Sequence, residues 1–161
     1  MSKKYNIERK LLGLDRTRKN RFVMTRKEAR EILLGLLFES EFRADESAED
    51  IYYTSAENRE IDDDDYIKRA YFAIFEHKVQ IDTVIGEHAK GWKTHRLTNI
   101  SRSILRLAVY EMLYEEGIPH KVSINEAVEL TKKYDDEKAR SFINGVLNSV
   151  KVMLQDKGEG R

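Results

Sequence analysis

The sequence has no cysteine and only one proline in 161 residues, and the first absence excludes several kinds of site. Without cysteine there is no disulfide framework, no thiol nucleophile and no cysteine-ligated zinc. No apolar run reaches the roughly 18–20 residues that a membrane span needs, and the N-terminus lacks the apolar centre of a signal peptide. We therefore expect a soluble, cytoplasmic protein with no membrane contact.

Charged residues are what the sequence has in abundance. Lys, Arg, Asp and Glu make up 36% of the chain, hydrophobic residues make up 40%, and there are eight glycines. This composition favours long solvated helices over short strands and turns. A chain of this length usually forms one domain with a sizeable core. We expect an all-α protein of six or seven helices with short connections.

The two signs of charge are separated along the chain, although the formal net charge is zero. Residues 1–30 carry eleven Lys or Arg against three Asp or Glu, whereas residues 39–65 carry twelve acids and two arginines. A dense basic segment attracts polyanions such as nucleic acids through counterion release. A disordered solubilising tail is the alternative, and charge alone does not decide between the two.

The basic segment divides at Met24. Residues 1–23 contain few large apolar groups among many charges, which predicts a basic, flexible arm. Thr25 and Glu28 then have the spacing of a capping box at a helix start. An apolar stripe follows at helical spacing, formed by Ala29, Ile32, Leu33, Leu36 and Leu37. We expect an amphipathic first helix here, with Lys27 on the side away from the stripe and Arg30 at its edge.

The helical domain is expected to cover residues 24–157, with a disordered tail at 158–161. Within it, the acidic run at residues 62–65 suits a helix N-terminus, where negative charge is favoured. A further helix is predicted over roughly residues 82–90, because a glycine follows that ends it.

Three more features complete the helical pattern. A strongly apolar helix is predicted from Asn99 to Glu115, stopped by Gly117 and Pro119. The run Ser-Ile-Asn-Glu at residues 123–126 has the spacing of a second capping box. A last helix is predicted from about Asp135, with apolar residues again at helical spacing.

No catalytic pattern is present. Gly86–Thr94 is close to a phosphate-binding loop, but Trp92 separates the glycine from the lysine and the stretch follows a helix. The four histidines lack metal-ligand spacing; they are His77, His88, His95 and His120. No serine, histidine and carboxylate set is marked by local sequence. We expect no enzymatic activity, no metal and no cofactor.

Four segments resemble the NusB family of transcription antitermination factors, in order and in spacing. The C-terminal stretch from Ile118 to Asn148 contains I-N-E-A-V-E-L and F-I-N-G-V-L. The others are T-R-K-E-A-R-E from Thr25, I-D-T-V-I, which precedes Trp92, and R-S-I-L-R-L-A-V-Y-E from Arg102. The resemblance covers about residues 24–152.

The resemblance implies an all-helical array of two packed subdomains without enzymatic activity. It implies a partner, the NusE protein of the small ribosomal subunit, and binding of the pair to single-stranded boxA RNA in nascent ribosomal RNA transcripts. The complex would then help the transcription elongation complex to read through terminators.

The resemblance also implies which residues make these contacts. The RNA surface on the first helix maps onto Arg26, Lys27 and Arg30. Its extension maps onto Arg96, Arg102 and Arg106. The NusE surface maps onto Phe38, Lys138 and Phe142. Two positions depart from the family pattern: Glu28 stands where a basic residue is common, and Lys138 stands where an acid is frequent.

Two other functions stay open. One is an RNA-recruiting module like the NusB-like region of ribosomal RNA methyltransferases, acting in ribosomal RNA maturation. The other is a helical interaction protein that docks partners through an apolar patch without RNA. A homodimer stays open too, because the same apolar and basic face would be buried by self-association.

Overall fold

The computed structural model describes residues 7–8, 11–12, 24–59, 61, 65–90 and 97–161. Seven α-helices lie within these ranges: α1 Arg26–Ser40, α2 Ala48–Arg59, α3 Asp65–Glu76, α4 Lys78–His88, α5 Asn99–Tyr114, α6 His120–Tyr134 and α7 Glu137–Asp156. No strand occurs in the described part of the chain. The all-α prediction is confirmed.

The capping box predicted at the start of α1 is present. Thr25 is the N-cap; its hydroxyl accepts from the backbone N–H of Glu28 at 3.2 Å. The Glu28 carboxylate accepts in return from the backbone N–H of Thr25 at 2.9 Å. Two N–H groups that have no partner within the helix are thereby satisfied, which fixes where α1 begins.

The chain forms two compact units, Met1–Phe75 and Glu76–Arg161. In the first, α2 and α3 are joined through aromatic side chains. The Tyr71 hydroxyl donates to the Ala48 carbonyl at 2.9 Å, and the rings of Tyr71 and Tyr52 lie 5.2 Å apart. Buried aromatic pairs of this kind contribute packing energy beyond their area. The apolar stripe of α1 is also buried, at Leu33, Leu36 and Leu37.

In the second unit, α5 packs against α4, α6 and α7. This position explains why α5 is apolar on almost every side, with Ile104, Leu105, Leu107, Ala108 and Val109 all buried. A polar contact adds to the packing of α4 on α7, since His88 Nδ1 lies 2.7 Å from the Ser149 hydroxyl.

The predicted capping box at residues 123–126 is wrong. Helix α6 begins three residues earlier, at His120, with Pro119 as N-cap at φ −59° and ψ 139°. Ser123 lies inside the helix, is buried, and donates to the Glu111 carboxylate at 2.8 Å. The Ser-Ile-Asn-Glu spacing does not make a cap here, because the Ser123 hydroxyl is bonded to Glu111 on another helix.

The other predicted helix starts agree with the structure for α5 and α7 but not for α4. Helix α5 begins at the predicted residue, and α7 begins at Glu137 behind the N-cap Asp136. Helix α4 begins at Lys78, four residues before the predicted start, and its N-cap makes no side-chain hydrogen bond. Helix α2 was not predicted. The acids at 62–64, together with Gly91 and Trp92, lie outside the described residues.

The tail at residues 158–161, for which the sequence predicts disorder, carries hydrogen bonds. The backbone N–H of Glu159 donates to the Leu154 carbonyl at 2.8 Å. The Arg161 guanidinium donates to the Met112 carbonyl at 2.6 Å. These contacts place the tail against α5 and the end of α7. None of the helices formed by the described residues is long and apolar enough to cross a membrane.

Candidate nucleic-acid interface

Two exposed cations occupy the first turn of α1. Lys27 is exposed and, within the described part of the chain, has no ion-pair partner. Arg26 is exposed too, and its guanidinium carbon lies 4.0 Å from the centroid of the Tyr66 ring in α3. A helix N-terminus favours negative charge, so cations in this turn do not stabilise the helix dipole. Their positive charge is instead available to an anion from outside.

Glu28, the acid that departs from the family's basic pattern, lies in the same turn. Its carboxylate is used in the capping box, where it accepts from the backbone N–H of Thr25 at 2.9 Å and from the Thr25 hydroxyl at 3.1 Å. The negative charge therefore compensates the positive end of the helix dipole.

Arg30, the third cation assigned to the first helix, is placed differently. Its side chain is buried, with only 4% of the residue exposed. Position 30 lies at the edge of the apolar stripe of α1, and in the structure this edge position is buried together with the stripe. It does not share the solvent-facing surface of Lys27.

The cations assigned to the second unit are engaged within the protein. Arg102 donates to the Asn99 side-chain oxygen at 2.6 Å and to the Leu97 carbonyl at 3.3 Å. Arg106 donates to both carboxylate oxygens of Asp82, at 2.8 and 2.9 Å. These contacts hold the start of α5 and join α5 to α4. Arg96 lies outside the described residues.

The residues assigned to the protein partner are divided between the two units. Phe38 in α1 is buried, and its ring packs edge-to-face on Phe42 at 5.1 Å. Phe42 is 63% exposed and was missed by the sequence analysis, although an apolar residue four positions after Phe38 was the available signal. On α7, Lys138 is exposed and Phe142 is half-buried.

The far end of α1 carries a network of charged groups around Glu39. Its carboxylate accepts from Ser55 at 2.7 Å, from Arg59 at 2.7 Å and from Arg43 at 2.8 Å. Burial alone would raise the pKa of Glu39, but these hydrogen bonds and the nearby Arg59 charge outweigh burial and lower it. The ionised carboxylate therefore ties the end of α1 to α2.

The described histidines have individual structural contacts. His77 stacks on Tyr114 at 4.3 Å, and His88 contacts Ser149. His120 is fully buried, and burial together with the nearby Arg161 charge lowers its pKa. No group of three or more metal-ligating side chains is assembled within the described ranges.

The chain is similar to known proteins in sequence and in fold. The NusB family model matches residues 27–151. The transcription antitermination protein NusB of Clostridium perfringens is 43% identical over 136 residues, which is 82% of this chain and 100% of that protein. A solved NusB of T. maritima is similar with a TM-score of 0.70 and 32% identity, covering 80% of this chain and 92% of that one. A further similar chain comes from a crystal structure of antitermination factors NusB and NusE in complex with dsRNA, with a TM-score of 0.69, 30% identity and coverage of 78% and 94%.

Proposed function

The chain belongs to the NusB family, and on this premise we propose that it binds boxA-type RNA together with a NusE ribosomal protein and promotes read-through in ribosomal RNA operons. Membership makes it a transcription antitermination factor and not an enzyme. The observation that carries the RNA-binding proposal is the exposed pair Arg26 and Lys27 in the first turn of α1. A related NusB has been solved with NusE and dsRNA, which supports both partners.

The two cations are suited to different parts of an RNA strand. Lys27 is an exposed point charge that suits a phosphate. The Arg26 guanidinium contacts the Tyr66 ring, with its central carbon 4.0 Å from the ring centroid, so the group has a binding contact in the protein before RNA arrives. Because Arg26 is exposed, its guanidinium can stack on a base or donate to phosphate. A preformed helix face lowers the ordering cost of such binding.

The residues proposed to contact the NusE-type partner are aromatic and charged. On the first unit, Phe38 is buried and the exposed ring of Phe42 packs on it, so Phe42 is the aromatic side chain that a partner can reach. Aromatic residues are enriched at protein interfaces. On the second unit, taken by itself, exposed Lys138 and half-buried Phe142 are the residues proposed to contact this partner. The partner pair would act with the elongation complex in the cytoplasm, and the free protein is a candidate for self-association through the same residues.

The test compares Lys27→Ala with Lys68→Ala, which removes the same charge from an exposed lysine of α3. Binding of a boxA-like single strand is measured with and without the NusE-type partner. We expect Lys27→Ala to weaken binding about 3- to 10-fold and to reduce the slope of log K against log salt by about 0.7. Lys68→Ala should change both by little.

Two results would contradict the proposal. No RNA binding by the wild type, alone or with the partner, would remove it. Equal losses in the two variants would mean that α1 has no special role. A duplex RNA of the same sequence should be included, because the related complex contains dsRNA. Arg30 is left unchanged, since removing a buried side chain would disturb the fold.

The basic arm is proposed to strengthen RNA binding without specifying sequence. Its basic run at residues 16–21 lies outside the described residues, so the proposal rests on charge alone. Replacing the four basic residues of this run by glutamine in the full chain should weaken binding to all RNA sequences by a similar factor. If binding is weakened only for boxA-like RNA, the arm contributes to sequence preference and the proposal is wrong.

A further inference from the structure

A short helical turn precedes α1 in the chain and packs within the first unit. Ile7, Glu8 and Leu11 are helical, and the backbone N–H of Leu12 donates to the Glu8 carbonyl at 2.9 Å. The Leu11 side chain is buried, with 3% of the residue exposed. A leucine this well covered is packed as a core residue.

The end of this turn is bound by a charged side chain. Carbonyls at the C-terminus of a helix have no partner within the helix. The Leu11 carbonyl accepts instead from the Arg59 guanidinium at 2.9 Å. Arg59 is itself oriented by Glu39, whose carboxylate lies 2.7 Å away, and its side chain is only 7% exposed. The carbonyl is therefore recognised by an arginine that is already held in place.

Gly35 in the middle of α1 allows the carbonyl to approach. A Cβ atom added at position 35 would lie 2.3 Å from the Leu11 carbonyl oxygen and 3.3 Å from its carbon. The first distance is far below any normal contact, and both atoms belong to the backbone. A glycine weakens a helix interior relative to alanine, so its presence here needs a reason. Close contact with Leu11 supplies one.

We infer that Ile7, Glu8, Leu11 and Leu12 form a strap that docks on α1 and α2 through a carbonyl-recognition site made by Gly35 and Arg59. The strap precedes the region that matches the family model, which starts at residue 27. The strap therefore lies outside the matched region and inside the first unit. The inference does not depend on RNA binding.

The fold offers a matched control for Gly35. Gly145 is a helical glycine in α7, and a Cβ added there would meet no atom within 4 Å. Alanine at Gly145 should improve helix propensity and raise the Tm by about 2–4 °C, with no effect on the strap. Alanine at Gly35 should instead lower the Tm, because the added methyl group displaces the Leu11 carbonyl.

The experiment uses the full chain as wild type, Gly35→Ala and Gly145→Ala. Thermal unfolding is followed together with hydrogen–deuterium exchange of the peptide that contains Leu11 and Leu12. We expect Gly35→Ala to speed exchange of that peptide at least about 10-fold and Gly145→Ala to leave it unchanged. If Gly35→Ala raises the Tm as Gly145→Ala does and strap exchange is unaltered, the inference is overturned.

A second variant covers the case in which Gly35→Ala disturbs α1 as a whole. Leu11→Ala leaves α1 intact and removes the buried side chain of the strap. It should lower the Tm by at least about 4 °C, whereas Leu12→Ala, at a half-buried position, should have a smaller effect. An unchanged Tm in Leu11→Ala would contradict the docking of the strap.

Discussion

The guanidinium of Arg106 and the carboxylate of Asp82 meet through two parallel hydrogen bonds, Nε to Oδ1 at 2.8 Å and Nη2 to Oδ2 at 2.9 Å. This geometry makes an arginine–carboxylate pair stronger than a single contact. The Arg106 side chain is 12% exposed. A cation that the family resemblance assigns to RNA is thus already committed to joining α5 and α4.

Replacing Arg106 by alanine should affect stability more than RNA binding. The change removes both hydrogen bonds and leaves the Asp82 carboxylate without them, so we expect the free energy of unfolding to fall by about 1–3 kcal/mol. Urea unfolding measures this. RNA affinity should fall less than in Lys27→Ala.

The companion variant Asp82→Asn distinguishes the two possible roles of Arg106, which are joining α5 to α4 and contacting RNA. It should also lower stability, but RNA affinity should be maintained or increase, because a negative charge is removed and the arginine is released. If Arg106→Ala weakens RNA binding as much as Lys27→Ala, then Arg106 contacts RNA directly despite its pairing.

Glu39 should make the stability of the first unit depend on pH. Its pKa is lower in the folded protein, so the stability it contributes is present above its unfolded pKa of about 4.3 and is lost as pH falls through the folded value. Glu39→Gln should lower the free energy of unfolding at pH 7 by about 1.5–3 kcal/mol. The difference in the free energy of unfolding between wild type and variant should narrow as pH falls below the unfolded pKa of Glu39 and through its lower folded pKa.

The control for this prediction is Glu57→Gln, at an exposed acid of α2. It should change stability little at any pH. Unfolding curves from pH 7 to pH 3 test both variants. If the difference in the free energy of unfolding between wild type and Glu39→Gln is constant over this range, the pKa of Glu39 is not lowered by folding.

Substitutions at Ser123 test whether this residue lies inside α6 or acts as an N-cap. At an N-cap, aspartate serves as well as serine. Inside α6, aspartate would place a second carboxylate beside buried Glu111, so Ser123→Asp should destabilise the protein by at least about 3 kcal/mol. Ser123→Ala, which removes one hydrogen-bond donor, should lower stability by about 1–3 kcal/mol.

The reverse exchange at a true cap supplies the comparison. Asp136 is the N-cap of α7 and accepts from the backbone N–H of Ala139 at 2.8 Å. Asp136→Ser should change the free energy of unfolding by no more than about 0.5 kcal/mol in urea. Similar small effects of Ser123→Asp and Asp136→Ser would mean that Ser123 does behave as a cap.

Features that depend on neighbouring residues were predictable from the sequence. The start of α1 followed from Thr25 and Glu28, because both capping hydrogen bonds lie within one turn. The same local reasoning had a signal for α2 that was not used. The Ser47 hydroxyl accepts from the backbone N–H of Asp50 at 3.1 Å, so Ser47 and Asp50 have the spacing of a helix start.

Features that depend on distant residues were not predictable. The partner of Ser123 is 12 positions away and that of Arg106 is 24 positions away, so no local pattern reveals either pair. The burial of Arg30, a residue of α1, likewise depends on how α1 packs in the fold and not on the residues next to it in the sequence. The sequence indicated Arg26 and Lys27 correctly as residues of the first helix turn, and their role in RNA binding stays a prediction.

The docking of Leu11 on Gly35 and Arg59 changes where this protein begins as a folding unit. The match to the family model starts at residue 27. Packing starts at or before Leu11, whose backbone carbonyl and side chain both belong to the first unit. A chain shortened to Met24 would therefore lose core contacts together with its basic arm. If such a chain bound RNA more weakly, the loss of basic residues and the loosening of α1 would both contribute to the effect. Substitutions in the full chain are needed to measure each contribution separately.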